Sequence, residues 1–133
     1  MMRLEMFAYV DGLDEAVSFY QEVFDAKIKA DKTWRNDDGT YEICAFEFDN
    51  GTSFSIAERK GESAIEGEVN TGNIMQMYME YKKEDSSKVE HAYELLKDGA
   101  KIISPLRAVE HTSHTCDLID KYGLRWCLMV WEE

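Results

Sequence analysis

The chain has 133 residues, with 15 basic and 27 acidic side chains and a formal net charge of −12. That length suits one domain with a core that needs no disulfide or metal staple. The charge repels phosphate backbones and anionic lipid, which argues against nucleic acid and membrane as partners. Hydrophobic residues at 44% against 32% charged mark a globular chain. No apolar run approaches the roughly 20 residues of a membrane span, and no signal-peptide core follows Met1. Cys44, Cys116 and Cys127 are widely spaced, odd in number and free of any CxxC. They read as reduced thiols in a cytoplasmic protein rather than a disulfide framework or a zinc site.

Residues 3–10 read as a strand that is apolar on both faces, broken by Asp11-Gly12. A helix follows, with Asp11 or Asp14 as the expected N-cap. Its apolar stripe is Ala16, Val17, Tyr20, Val23 and Phe24. Three strands come next: Ala26–Trp34, Tyr41–Phe48 and Thr52–Glu58, separated by Asn36–Gly39 and Asp49–Gly51 as turns. The polar, glycine-containing stretch 59–72 reads as a linker between a first module, 3–58, and a second, 73–131.

The same order of elements recurs after the linker. Ile74–Tyr81 is a strand, and a helix begins near Ser86 or Ser87, where Ser87 and Glu90 fit a capping box. Val89, Ala92, Tyr93 and Leu96 form its stripe, and Gly99 is a natural residue to end it. Ala100–Ser104 is a short strand stopped by Pro105. His111–Ile119 and Leu124–Trp131 are further strands, joined by the turn Asp120–Gly123.

Three segments in register resemble a known family. They are Tyr9–Gly12 with Glu15–Tyr20 and Val23-Phe24, then Ala92–Ala100 after a Met/Tyr-rich strand, then Asp120-Lys121-Tyr122-Gly123-Leu124-Arg125-Trp126. Their order and spacing are similar to the vicinal oxygen chelate superfamily of glyoxalases, bleomycin-resistance proteins and extradiol dioxygenases. The closing motif resembles its PhnB-like branch. One departure is Asp25, where that family usually ends the first helix on glycine. The resemblance implies an α+β fold of two βαβββ modules forming a curled mixed sheet with helices outside. It also implies a homodimer.

Enzymes of that superfamily hold a divalent cation with one residue from each of four strands. Counted from the matched motifs, those positions are Glu5, Ser55, Gln76 and Trp126. A neutral hydroxyl is a poor ligand for such a cation and an indole is none, so no metal is expected. Alternation along the strands then lines the cup with Phe7, Tyr9, Tyr78 and Trp126, with Glu5, Ser55 and Gln76 as polar points. Such a cup suits an aromatic or apolar small molecule. Glu5 among aromatics is a candidate general base with a raised pKa. Met75, Met77 and Met79 fall on the opposite face, beneath the second helix. His111 and His114 lie on opposite faces of one strand and cannot easily share an ion. Three functions stay open: a small-molecule binder without catalysis, a lyase or isomerase (metal-assisted or using Glu5), and a partner domain with a filled cup.

Overall fold

The computed structural model describes residues 2–61, 64, 65, 67 and 69–131. The chain divides into two compact units, residues 1–67 and 68–133. The division falls within the predicted linker, of which residues 62, 63, 66 and 68 lie outside the described residues. Each unit is a mixed sheet with one long helix, an α+β architecture.

The first unit runs β1 (Met6–Val10), α1 (Leu13–Phe24), β2 (Lys27–Ile28), β3 (Trp34–Arg35), β4 (Tyr41–Glu47) and β5 (Ser53–Glu58). The sheet order is β1-β5-β4-β2, with β3 also on β4. β1 lies parallel to β5, and the other pairs are antiparallel. The stripe of α1 buries Leu13, Ala16, Val17, Tyr20 and Val23, each worth up to about 1.5–3 kcal/mol for a large apolar side chain. Tyr20 meets Phe46 and Phe54 edge-on, at 6.5 and 5.9 Å between ring centres. Strand pairing then assigns the helix-covered face to Met6, Ala8, Val10, Cys44, Phe46, Phe54 and Ile56.

Two details differ from the sequence reading. Neither Asp11 nor Asp14 caps α1: the N-cap is Gly12, in the left-handed region at φ 79°. The Asp14 carboxylate instead accepts the Tyr41 N–H at 2.8 Å, tying the helix start to β4. The expected strand Ala26–Trp34 is interrupted by a 3-10 turn over Ala30–Lys32. There Thr33 donates its hydroxyl to the Lys29 carbonyl and accepts the Ala45 N–H, replacing ladder bonds with side-chain bonds.

The second unit runs β6 (Met77–Lys82), α2 (Ser86–Leu96), β7 (Lys101–Val109), β8 (Thr112–Ile119) and β9 (Arg125–Trp131). Its order, β6-β9-β8-β7, repeats the first: first strand beside last and parallel to it, the rest antiparallel. Val89, Ala92 and Leu96 of α2 are buried. Gly99 adopts φ 72° just past the helix, as its position predicts. The Ser87/Glu90 capping box does not form. Ser86 donates to the Lys83 carbonyl, and Glu90 reaches His114 instead. Pro105 does not stop β7, because β7 is the edge strand and a proline there needs no ladder partner. Its register with β8 shifts on either side of the proline, between Ser104 and Arg107.

Candidate functional site

In the first unit, alternation along β1 sends Phe7 and Tyr9 away from α1, about half exposed, with ring centres 5.3 Å apart. Phe7 pairs with Ser55 and Tyr9 with Ala57, so these side chains share one face. Glu5 precedes β1 on the same side. Its Oε1 lies 2.8 Å from Arg3 Nη2 and its Oε2 lies 3.6 Å from Lys32 Nζ. The predicted grouping of Glu5, Phe7, Tyr9 and Ser55 therefore exists on this sheet. The expected raised pKa of Glu5 does not. The Ser53 hydroxyl, then the Lys32 and Arg3 cations, hold its carboxyl below the usual carboxylate range, outweighing desolvation. A carboxylate held that low is a weak base near neutral pH.

In the second unit, Tyr78 pairs with Cys127, and Asp117 pairs with Cys127 from the other side. Those three, with Gln76, Glu80, Thr115, Arg125 and Met129, lie on the face turned away from α2. Tyr78 is half exposed there and donates its hydroxyl to the Met129 sulfur at 3.3 Å. Gln76 donates to Asp117 Oδ1 at 3.0 Å. Arg125 grips the same carboxylate with Nε at 2.9 Å and Nη2 at 2.6 Å.

Trp126 is not on this face. It pairs with Met77 and Leu118, is 1% exposed, and packs on the side covered by α2. The placement of Trp126 beside Tyr78 is one residue out of register, which reverses the face of a strand. The indole serves the core instead, where its Nε1 donates to Asp120 Oδ2 at 2.9 Å. Asp120 is itself buried, and its Oδ1 accepts the N–H groups of Tyr122 and Leu124. The closing Asp-x-Tyr-Gly-x-x-Trp motif thus shapes a turn and anchors it to the core. The residues that sequence reasoning missed are Arg125 and Cys127, which flank Trp126, and Asp117, which faces Cys127; alternation along β9 was the available signal.

Met77 and Met79 do lie on the helix side, partnering Trp126 and Leu128, while Met75 precedes the strand and is exposed. His114 also faces α2, its Nε2 3.0 Å from Glu90 Oε1, and His111 is exposed in the β7–β8 turn. Among the described residues no three His, Cys, Asp or Glu side chains converge as a metal group would need. The donor chemistry at the four expected positions also does not fit a divalent cation. Glu5 is bracketed by two cations, Ser55 offers a neutral hydroxyl, Gln76 is engaged with Asp117, and Trp126 faces the core. The outward neighbours of Trp126 are a guanidinium and a thiol whose pKa burial pushes up.

A family model for the Glyoxalase/Bleomycin resistance protein/Dioxygenase superfamily matches residues 3–128. The chain belongs to this superfamily. Among curated proteins none matches it. The PhnB protein from Bacillus cereus is similar in structure, with a TM-score of 0.73, 23% identity, and coverage of 97% of this chain and 99% of that one. A glyoxalase/bleomycin resistance/dioxygenase domain from Frankia sp. EAN1pec has a TM-score of 0.69, 17% identity, and coverage of 100% and 93%. The fosfomycin resistance protein FosX from Listeria monocytogenes, solved with Mn(II) and a dihydroxypropylphosphonic acid, has a TM-score of 0.60, 18% identity, and coverage of 99% and 92%. At these identities the likeness concerns the superfamily fold. The Mn(II) of FosX belongs to FosX.

Proposed function

We propose that this glyoxalase/bleomycin-resistance superfamily member is a small-molecule-binding protein. It takes an aromatic or apolar ligand against a sheet face turned away from the helix of its own unit, without the usual metal quartet. The observation that carries this reading is the set of half-exposed rings, Phe7, Tyr9 and Tyr78, on such faces, beside a few fixed polar groups. Exposed aromatic rings keep a large apolar area in water that a ligand would cover, so ligand contact is a physical reason for them to stand there. The mismatch between the donors present and a divalent cation supports binding over metal-assisted lyase or isomerase chemistry. The low pKa of Glu5 argues against its use as a general base. We further infer a homodimer, as the superfamily resemblance implies. A cytoplasmic setting is supported by the free thiols at Cys44, Cys116 and Cys127.

The test is a heteronuclear NMR titration with 1-naphthylmethanol, an uncharged aromatic probe, on protein purified without chelators and assayed for metals. Saturable binding with the probe recovered unchanged is expected. Tyr78→Ala or Phe7→Ala should weaken it about fivefold or more. A stoichiometric divalent metal, or unaltered affinity in both variants, overturns the reading.

A further inference from the structure

The guanidinium of Arg125 has donors left over. Of its five N–H groups, Nε and one on Nη2 hold Asp117, and one on Nη1 holds the Gly72 carbonyl at 3.0 Å. One N–H on Nη1 and one on Nη2 remain, on a side chain 29% exposed. Asp117 is steadied in turn by Gln76. The group is therefore fixed before any ligand arrives, and an anion meeting it would not have to freeze a flexible side chain.

The surrounding charge has the right sign. The face of the second sheet away from α2 carries Lys82, Lys101, Arg107 and Arg125 against Glu80 and Asp117. Among the described residues, four cations against two carboxylates make it locally positive in a chain of net charge −12. Lys101 and Arg107 are exposed and form no ion pair among the described residues. Such a local reversal attracts small anions that the rest of the surface repels. On the same face, Tyr78 lies opposite Cys127, two residues along β9 from Arg125, with its hydroxyl on the Met129 sulfur, and offers an aromatic surface there.

We infer that Arg125 is an anion receptor on this face, and that the ligand is an aromatic or apolar carboxylate whose acid group meets the free Nη1 and Nη2 donors while its ring lies against Tyr78. The inference rests on the binding reading above and specifies its ligand class. Asp117 and Gln76 are positioning residues: they aim the guanidinium and do not touch the ligand.

The experiment compares 1-naphthoate with 1-naphthylmethanol on the full chain at low ionic strength. Naphthoate should bind about tenfold more tightly, the gain of a hydrogen bond to a charged group. In the wild-type protein the Arg125 Nε–H resonance should shift with naphthoate and stay in place with the alcohol. The paired change Arg125→Met with Asp117→Asn removes both charges together and should bring the ratio of the two affinities close to one. Equal affinities in the wild type, or an unmoved Nε–H resonance at saturation, overturn the receptor while leaving the aromatic reading intact. Binding of neither probe overturns both.

Discussion

At the scale of single residues, much depends on which hydrogen-bond partners are charged and out of water. Asp120 is 4% exposed and satisfied by two backbone N–H groups and the Trp126 indole. Trp126→Phe removes one donor from a buried carboxylate and leaves a small void. It should cost about 2–4 kcal/mol in a urea unfolding titration. Because Trp126 lies on the helix side, naphthylmethanol affinity should stay within about twofold of wild type in the folded variant. Glu5 illustrates a pH effect. Its folded pKa is lowered, so the stability it contributes is present above the ordinary carboxylate value and is lost as pH falls through the lower folded value. Glu5→Gln should therefore reduce Tm at pH 7, with the difference from wild type shrinking below about pH 4.5 and vanishing in stronger acid. A constant difference across that range would contradict the ionic arrangement with Arg3 and Lys32.

At the scale of elements, the end of α1 holds a testable strain. Asp25 is the one non-glycine residue with positive φ among the described residues, at 49°, where the sequence already stood out for lacking glycine. Asp25→Gly should stabilise the protein by up to about 1 kcal/mol, read from the urea midpoint. Elements governed by periodicity were legible from residue order alone: the stripes of α1 and α2, the hairpin turns, the doubled strand–helix–strands pattern. What was not legible turned on competition between partners. Asp14 had a choice between capping its own helix and bonding Tyr41, and a distant backbone group cannot be seen along the chain. Pro105 ends a central strand but is harmless on an edge, and edge position is a tertiary property. The candidate site was half legible for the same reason. Glu5, Phe7, Tyr9 and Ser55 follow from alternation on a strand whose register was counted correctly. Trp126 was placed by a motif count with no packing to fix its face, and a shift of one residue exchanged it for Arg125 and Cys127.

At the scale of the molecule, a net charge of −12 on 133 residues means sustained self-repulsion. Screening should relieve it: raising sodium chloride from about 0.02 to 0.5 M should lift Tm by about 2–5 °C. The same salt should weaken naphthoate binding and leave naphthylmethanol binding nearly untouched. The burial of the three tryptophans has another use. Trp34 is 53% exposed and belongs to the first unit, whereas the second unit holds Trp126, sealed in its core, and Trp131, at 53%. With Trp34 and Trp131 replaced by phenylalanine, all indole fluorescence would come from Trp126. Its emission would start blue, as in a dry interior, and move red only when the second unit opens. In the same variant, the amide signal of Ala45, buried in the first unit, gives a second reading without touching Trp126. The second half thus contains its own optical reporter, and a comparison of its unfolding curve with that of the first-unit amide would show whether the repeated halves melt together or in turn.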